Sequence, residues 1–268
     1  MPALPYDYHT HSTFSCDARD TIDAMCRKAL EIGLSEIAIT DHLDMHPKDS
    51  CYNYYRMAEF HEALAAARKK YPSLTIRAGV EVGEMHRFHE AVMPGIDALP
   101  YDLIIGSLHW VGDDIVFERE YFDRRTRDQA AVDYFEEVAR MVRFGGFNIL
   151  GHLDVVRRYG AEYYGGLDVT PYQDAIRAVL RACIEGGIAI EINTSGLRRP
   201  IRETHPNLET LRWYREMGGE LLTVGSDAHG TGYVASGFDQ AREIALAAGF
   251  TRLCRFERRR LLDWVEIT

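Results

Sequence analysis

No stretch of about 18 consecutive apolar residues occurs in these 268 residues, so no transmembrane helix is expected. The first residues, Met1-Pro2-Ala3-Leu4-Pro5-Tyr6-Asp7, carry neither a basic segment nor an apolar one behind it, which argues against a secretory signal. Basic residues are in short supply: 31 Lys and Arg stand against 41 Asp and Glu, a net charge of -10. A general nucleic-acid binder is normally basic, so that class is disfavoured, and nothing indicates a membrane partner. Cysteine is sparse, odd in number and scattered. Cys16, Cys26, Cys51, Cys183 and Cys254 include no Cys-x-x-Cys pair, and they are expected to be free thiols in a reducing cytoplasm. Low-complexity tracts and linkers are missing as well, so residues 1–268 are expected to form one domain.

What is present is a core-forming chain, 46% hydrophobic and 27% charged. Short apolar runs recur at Tyr6–His11, Glu36–His42, Thr75–Val82, Leu103–His109, Asn148–His152, Ile188–Asn193 and Leu221–Asp227. They lack sustained polar alternation, which suits parallel strands buried on both faces. Helical stretches separate several of them: Thr21–Ile32, Arg56–Tyr71, Asp128–Phe144, a helix opened by Thr170-Pro171 and closed by Gly186-Gly187, Asn207–Met217 and Asp239–Ala248. Seven strands with intervening helices predict an α/β fold, a closed βα barrel. The alternative, a doubly wound open sheet, lacks a Gly-x-Gly-x-x-Gly after its first strand.

The chain has 11 histidines, and their placement is informative. His9 and His11 end the first predicted strand, His42 the second, His109 the fourth and His152 the fifth. Asp227 and His229 end the seventh, and Glu81 lies near the end of the third. In a βα barrel those ends converge on one face. Imidazole and carboxylate are ligands of zinc, manganese and iron. The His-x-His spacing puts both rings on one face of a strand, because the side-chain period is two. Six histidines and two acids exceed the needs of one ion and suit two or three, with Glu81 bridging. His46, His61, His86, His89 and His205 fall in loops or helices, where solvated or capping roles are expected; His86 and His89 could reach the rim.

These residues, in this order, resemble the PHP (polymerase and histidinol phosphatase) family. The resemblance runs through Asp7-Tyr8-His9-Thr10-His11, Thr40-Asp41-His42, Glu81, His109, His152 and Ser226-Asp227-Ala228-His229, over almost the whole chain. It implies a distorted (β/α)7 TIM-like barrel. Two further segments, Gly151–Gly160 and Glu191–Arg198, are similar to the monofunctional histidinol-phosphatases of histidine biosynthesis. That subgroup implies a cytoplasmic phosphomonoesterase converting L-histidinol phosphate to L-histidinol and phosphate. The resemblance assigns His9, His11, Glu81 and Asp227 to a first metal, and Glu81, His109 and His152 to a second. His42, His229 and Asp17 would hold a third, with Asp17 where many relatives have histidine.

Divalent ions would neutralise phosphoryl charge, activate a water and assist the leaving alkoxide. Asp227, beside that water, is expected to move a proton. Glu81 bridges, and His229 is a candidate to protonate the leaving oxygen. An anionic substrate entering an acidic chain needs local cations. Arg157, Arg158 and Arg198 stand on loops leaving predicted strand ends and are the expected phosphate contacts, with Arg199 beside them. Ser195 and Tyr121 are weaker pocket candidates. The alternatives are a phosphoesterase for another small ester such as a nucleotide, and a non-catalytic metal-binding PHP domain. A C–N-cutting amidohydrolase would typically place a lysine at a strand end, and none is there.

Overall fold

The computed structural model describes residues 3–267. Its elements run in chain order as β1 (Tyr6–Asp7), α1 (Ile22–Glu31), β2 (Glu36–Ile39), β3 (His42–Leu43), α2 (Met57–Lys70), β4 (Thr75–Gly83), α3 (Met85–Asp97), β5 (Leu103–Ser107), β6 (Trp110–Val111), β7 (Asp114–Ile115), α4 (Arg119–Asp123), α5 (Arg127–Phe144), β8 (Ile149–Leu150), α6 (Val156–Tyr164), α7 (Gln173–Gly186), β9 (Ala189–Asn193), α8 (Leu208–Glu216), β10 (Leu222–Gly225), α9 (Phe238–Ala247), β11 (Arg252–Glu257) and β12 (Arg260–Glu266). Seven strands pair in parallel in the order β1-β2-β4-β5-β8-β9-β10, with β3 continuing alongside β4. Just past β1 the chain meets the other end of that order. The Tyr8 N–H donates to the Val224 carbonyl at 3.1 Å, and Thr10 bridges Ala228 in parallel. The seven predicted strands are therefore the staves of a nearly closed barrel, and their carboxyl ends share one face.

Helix formation follows local chemistry. In α1 the Thr21 hydroxyl accepts from the Ala24 N–H, and Ile22, Met25, Cys26 and Ala29 form the buried face. The capping box of Thr126 and Gln129 starts α5, the longest helix at 18 residues. Some details differ from the sequence expectation. Thr170-Pro171 opens a 3-10 turn, and the α-helix begins only at Gln173. The helix α3 went unanticipated because Pro94 and Gly95 interrupt its pattern. The hairpins β6–β7 and β11–β12 lie outside the barrel repeat.

One covalent feature corrects the expectation of five free thiols: Cys16 and Cys51 form a disulfide. It joins the loop after β1 to the loop after β3, which lie together because β1 pairs with β2 and β3 follows β2 directly; 35 residues of separation hide that in the sequence. Cys26, Cys183 and Cys254 are free and buried. None of the described helices is long and apolar enough to cross a membrane.

Candidate metal centre

Buried carboxylates fasten the loops that leave the barrel. Asp7 accepts from the N–H (2.9 Å) and hydroxyl (2.5 Å) of Ser226 and from the Ala235 N–H (2.9 Å), fixing the turn that carries Asp227. Asp41 accepts from the Ser12 N–H (2.6 Å) and from the hydroxyls of Ser12 and Ser15 (both 2.7 Å), fixing the loop that carries Asp17. Asp227 itself sits at φ 54°, a left-handed conformation that aspartate tolerates better than most side chains and that recurs at functional sites.

Glu81 lies at the centre, fully buried on β4. Its Oε2 stands 3.3 Å from His9 Nε2, 3.6 Å from His11 Nε2 and 2.9 Å from His42 Nδ1. Its Oε1 stands 3.0 Å from His152 Nε2 and 3.6 Å from His109 Nε2, and accepts from the Ser107 hydroxyl at 2.6 Å. Asp227 Oδ1 is 3.5 Å from His11 Nε2. Further out, His229 Nε2 is 3.0 Å from Asp17 Oδ2 and 3.4 Å from His42 Nε2. Three neighbouring groups of donor atoms result: His9, His11 and Asp227; Glu81, His109 and His152; His11, His42 and His229 with Asp17 at the rim. All nine residues expected from the sequence as ligands thus lie together.

Their electrostatics follow from burial. Burial alone would raise the Asp227 carboxyl, but the adjacent His11 ring and the charges of His9 and His229 hold it well below the usual range. Glu81 is held down in the same way, against burial, by His9 and His42, by the adjacent His109 ring and by the bond with His152. His11 is pushed down to about 3 by burial and by the neighbouring His229 and His42. His9 Nε2, His11 Nε2, His42 Nδ1 and Glu81 Oε2 are buried without a hydrogen-bond partner. An unpaired buried polar atom costs about 1–3 kcal/mol. Divalent ions are the partners that would pair several such atoms at once, so the donor set fits a metal cluster.

A cavity of about 460 Å³ opens over these groups, lined also by Arg158, Arg198, Arg199, Phe117, Tyr159, Tyr233 and Ser195. Two expected substrate contacts do not reach it. Arg157 is buried and committed to Asp154 (3.1 Å) and Glu203, because α6 begins at Val156 and turns consecutive arginines to different faces. Tyr121 is fully buried, its hydroxyl donating to the Ala130 carbonyl at 2.6 Å. Nor are the remaining histidines solvated as expected. His46 is buried and stacked on Trp110, His205 is buried against Asp154 at 2.9 Å, and His86 binds Glu137 at 2.8 Å away from the cavity. His61 packs half-buried against Tyr101.

Two carboxylates behind the ligands escaped the sequence reading. Asp44 places Oδ1 3.4 Å from His109 Nδ1 and Oδ2 3.6 Å from His42 Nδ1. Glu191 accepts from His9 Nδ1 at 2.7 Å. The available signal was an acid inside an otherwise apolar strand, Ala-Ile-Glu-Ile-Asn.

A TIM-like barrel gathering this many ligand-type side chains on its carboxyl face presents donor groups of the kind that bind divalent metal ions. The family model for the PHP domain matches residues 7–195, and the chain belongs to the PHP family. It is 29% identical over 252 residues to the histidinol-phosphatase of Lactococcus lactis subsp. lactis, covering 93% of each chain. It is 30% identical over 258 residues to a probable histidinol-phosphatase of Deinococcus radiodurans, covering 91% of this chain and 94% of that one. The fold is similar to the crystal structure of the Lactococcus lactis histidinol phosphate phosphatase in complex with zinc, L-histidinol and phosphate. That match has a TM-score of 0.88 and 27% identity, covering 97% of this chain and 99% of the other.

Proposed function

We propose that this chain is a metal-dependent phosphomonoesterase that hydrolyses L-histidinol phosphate to L-histidinol and phosphate. One observation carries the reading: three arginines face a cluster of metal-type donors across a cavity sized for a small molecule. Arg158, Arg198 and Arg199 have no carboxylate within ion-pair range among the described residues, and Arg198 Nη1 is buried without a partner. Burial pulls the pKa of both Arg158 and Arg198 down, so an anion seated between them would be stabilised. Phe117 and Tyr159, with ring centroids 5.2 Å apart, add an aromatic wall suited to an imidazole ring.

His9, His11, Glu81 and Asp227 would hold one ion, Glu81, His109 and His152 a second, and His42, His229 and Asp17 a third. Such ions, zinc, manganese or iron, would neutralise phosphoryl charge and activate the attacking water. The arginines orient the phosphate, and Ser195, whose hydroxyl is buried and unpartnered, offers it a further donor. Asp227, itself a member of the first donor group, would take a proton from that water. His229 has its Nε2 toward Asp17 and His42 and its Nδ1 at 3.2 Å from the Asp227 carbonyl. Used as a ligand, it keeps no ring nitrogen for the leaving oxygen, so we assign it to the metal and not to acid catalysis. The same reading takes residues 1–268 as one PHP domain working in the cytoplasm.

The test is phosphate release by protein loaded with zinc, manganese or iron, using histidinol phosphate, a nucleoside monophosphate and an aryl phosphate. Preference for histidinol phosphate is expected. Comparable turnover of all three would replace this reading with a general phosphoesterase, and no turnover would leave a metal-binding module.

A further inference from the structure

We infer that Glu191 is the positioning residue of the metal centre, a single buried carboxylate that sets the ligand-ready form of His9 and ties the first two donor groups to each other. The inference rests on the reading of His9, His152 and Asp227 as metal ligands. Glu191 lies in the middle of β9, 1% exposed, pointing into the barrel, and its oxygens are divided between partners. Oε1 accepts from His9 Nδ1 at 2.7 Å. Oε2 accepts from the His152 N–H at 2.9 Å and from Asn193 Nδ2 at 3.1 Å. The Asn193 amide in turn donates to Asp227 Oδ2 at 3.4 Å. One side chain thereby reaches the ends of β1, β8 and β10.

The consequence for His9 follows from donor and acceptor counting. An ionised carboxylate only accepts, so His9 must donate at Nδ1. Nε2 then projects toward Glu81, 3.3 Å away, on the side where the other donors converge. A metal-ligating imidazole typically hands its remaining N–H to such an outer carboxylate, which fixes ring orientation and strengthens the ligand. Gly225 makes room for the arrangement. A Cβ there would strike Glu191 Oε1 and His9 Cβ, so the close approach of these two side chains depends on a residue without one. The His152 contact adds the second group, because the backbone that presents His152 hangs on the same carboxylate.

Glu191→Gln separates positioning from packing. The amide keeps the size but presents one oxygen and one NH2. With its NH2 toward the His152 N–H, the amide sets donor against donor; with its NH2 toward His9, it holds Nδ1 as the acceptor and moves the ring proton to Nε2, the nitrogen needed for the metal. The measurement is zinc affinity of the apo protein by competition with a chromophoric chelator, alongside the apo melting temperature and the kcat and KM for histidinol phosphate. We expect zinc affinity to fall by about 10- to 100-fold. The loss of activity should follow metal occupancy through kcat, with KM at full occupancy little changed, and Glu191→Asp should recover part of the affinity. Wild-type zinc affinity in a folded Glu191→Gln protein would overturn the inference, as would an affinity loss no larger than its loss of apo stability. Should the variant not fold, nitrogen spectra of histidine-labelled, zinc-loaded wild-type protein decide: His9 must carry its proton on Nδ1, and a proton on Nε2 refutes the assignment. A wild-type protein that binds zinc but releases no phosphate would fail the phosphatase reading and leave this one standing. A wild-type protein that binds no zinc would end this one.

Discussion

Arg157→Ala separates two roles that the sequence could not tell apart. Read as a phosphate contact, Arg157 should matter to turnover; read from its contacts, it should matter to stability. Its guanidinium is 5% exposed and lies 3.1 Å from Asp154, which is fully buried. Asp154 keeps one other partner, His205 Nδ1 at 2.9 Å. Burial would raise the Asp154 carboxyl, yet Arg157 and then His205 hold it below its usual range. Without the guanidinium, Asp154 is an inadequately compensated buried charge, and breaking a buried pair from one side costs about 3–5 kcal/mol. Glu203, the other partner, is half exposed and turns to solvent, so its share is small. In a chain of this length such a loss lowers Tm by roughly 10 °C. The assay is a thermal melt beside steady-state phosphate release at a temperature where the variant is folded. Arg157→Ala should melt early with kcat/KM near wild type. Arg198→Ala, with Nη1 unpartnered beside the cavity, should lose about 10- to 100-fold in kcat/KM. An Arg157→Ala protein that melts like wild type and loses turnover of histidinol phosphate would refute this reasoning.

Other consequences can be checked directly. Protein purified without chelator should carry at least two transition-metal equivalents by elemental analysis, and His9→Ala with His11→Ala should abolish turnover and reduce metal content. Asp17→Ala removes the half-exposed carboxylate at the third donor group, so metal stoichiometry or kcat should drop while the melt is unchanged; full stoichiometry with wild-type kinetics would exclude Asp17 as a ligand. Replacing Cys16 and Cys51 by serine opens a loop of 35 residues, and chain-entropy arguments put the loss of stability at about 4 kcal/mol. Denaturant titrations of wild type and variant measure it, and alkylation of both thiols in the unreduced native protein would instead return them to the free state.

Much of the barrel was readable because buried parallel strands are compositionally plain. Ile104, Ile105, Ile190 and Ile192 can sit only in a core, and the ligand-type residues punctuate the strand ends. Most of the clustered donor-type side chains were readable for the same reason, since a polar residue closing an apolar run stands out from the packing around it; Asp17, in a loop, was named only through the family resemblance. The rest depended on geometry with no local signature. Arg157 and Arg158 are adjacent, yet a helix starting at Val156 sends one inward to Asp154 and the other to the cavity. His205 looked like a loop residue, but its backbone pairs with Asn193 and carries its ring into the core. Cys16 and Cys51 meet only because strands β1 and β3 end on the same face. Each of these is a tertiary juxtaposition, which neither hydropathy period nor residue spacing encodes.

The acidic balance of the chain bears on the substrate less simply than the net charge suggests. Glu81, Asp227, Asp44 and Glu191 crowd a small buried volume with negative charge, and desolvation opposes that arrangement. It is tenable because imidazoles interleave the carboxylates, and because divalent ions placed among them would supply most of the compensation. The layer farther out reverses sign, with Arg158, Arg198 and Arg199 facing the cavity. On the proposed reading, a phosphate entering there would meet cations on both sides, the guanidinium rim and the ions that the inner acids would hold. On that reading the acidic interior would serve the metal ions, and the rim would decide which ester is held against them. An excess of acids over bases disfavours a general nucleic-acid binder, but it carries no information against an anionic substrate, because the charge that such a substrate meets is set by depth within one cavity and not by the sum over the chain.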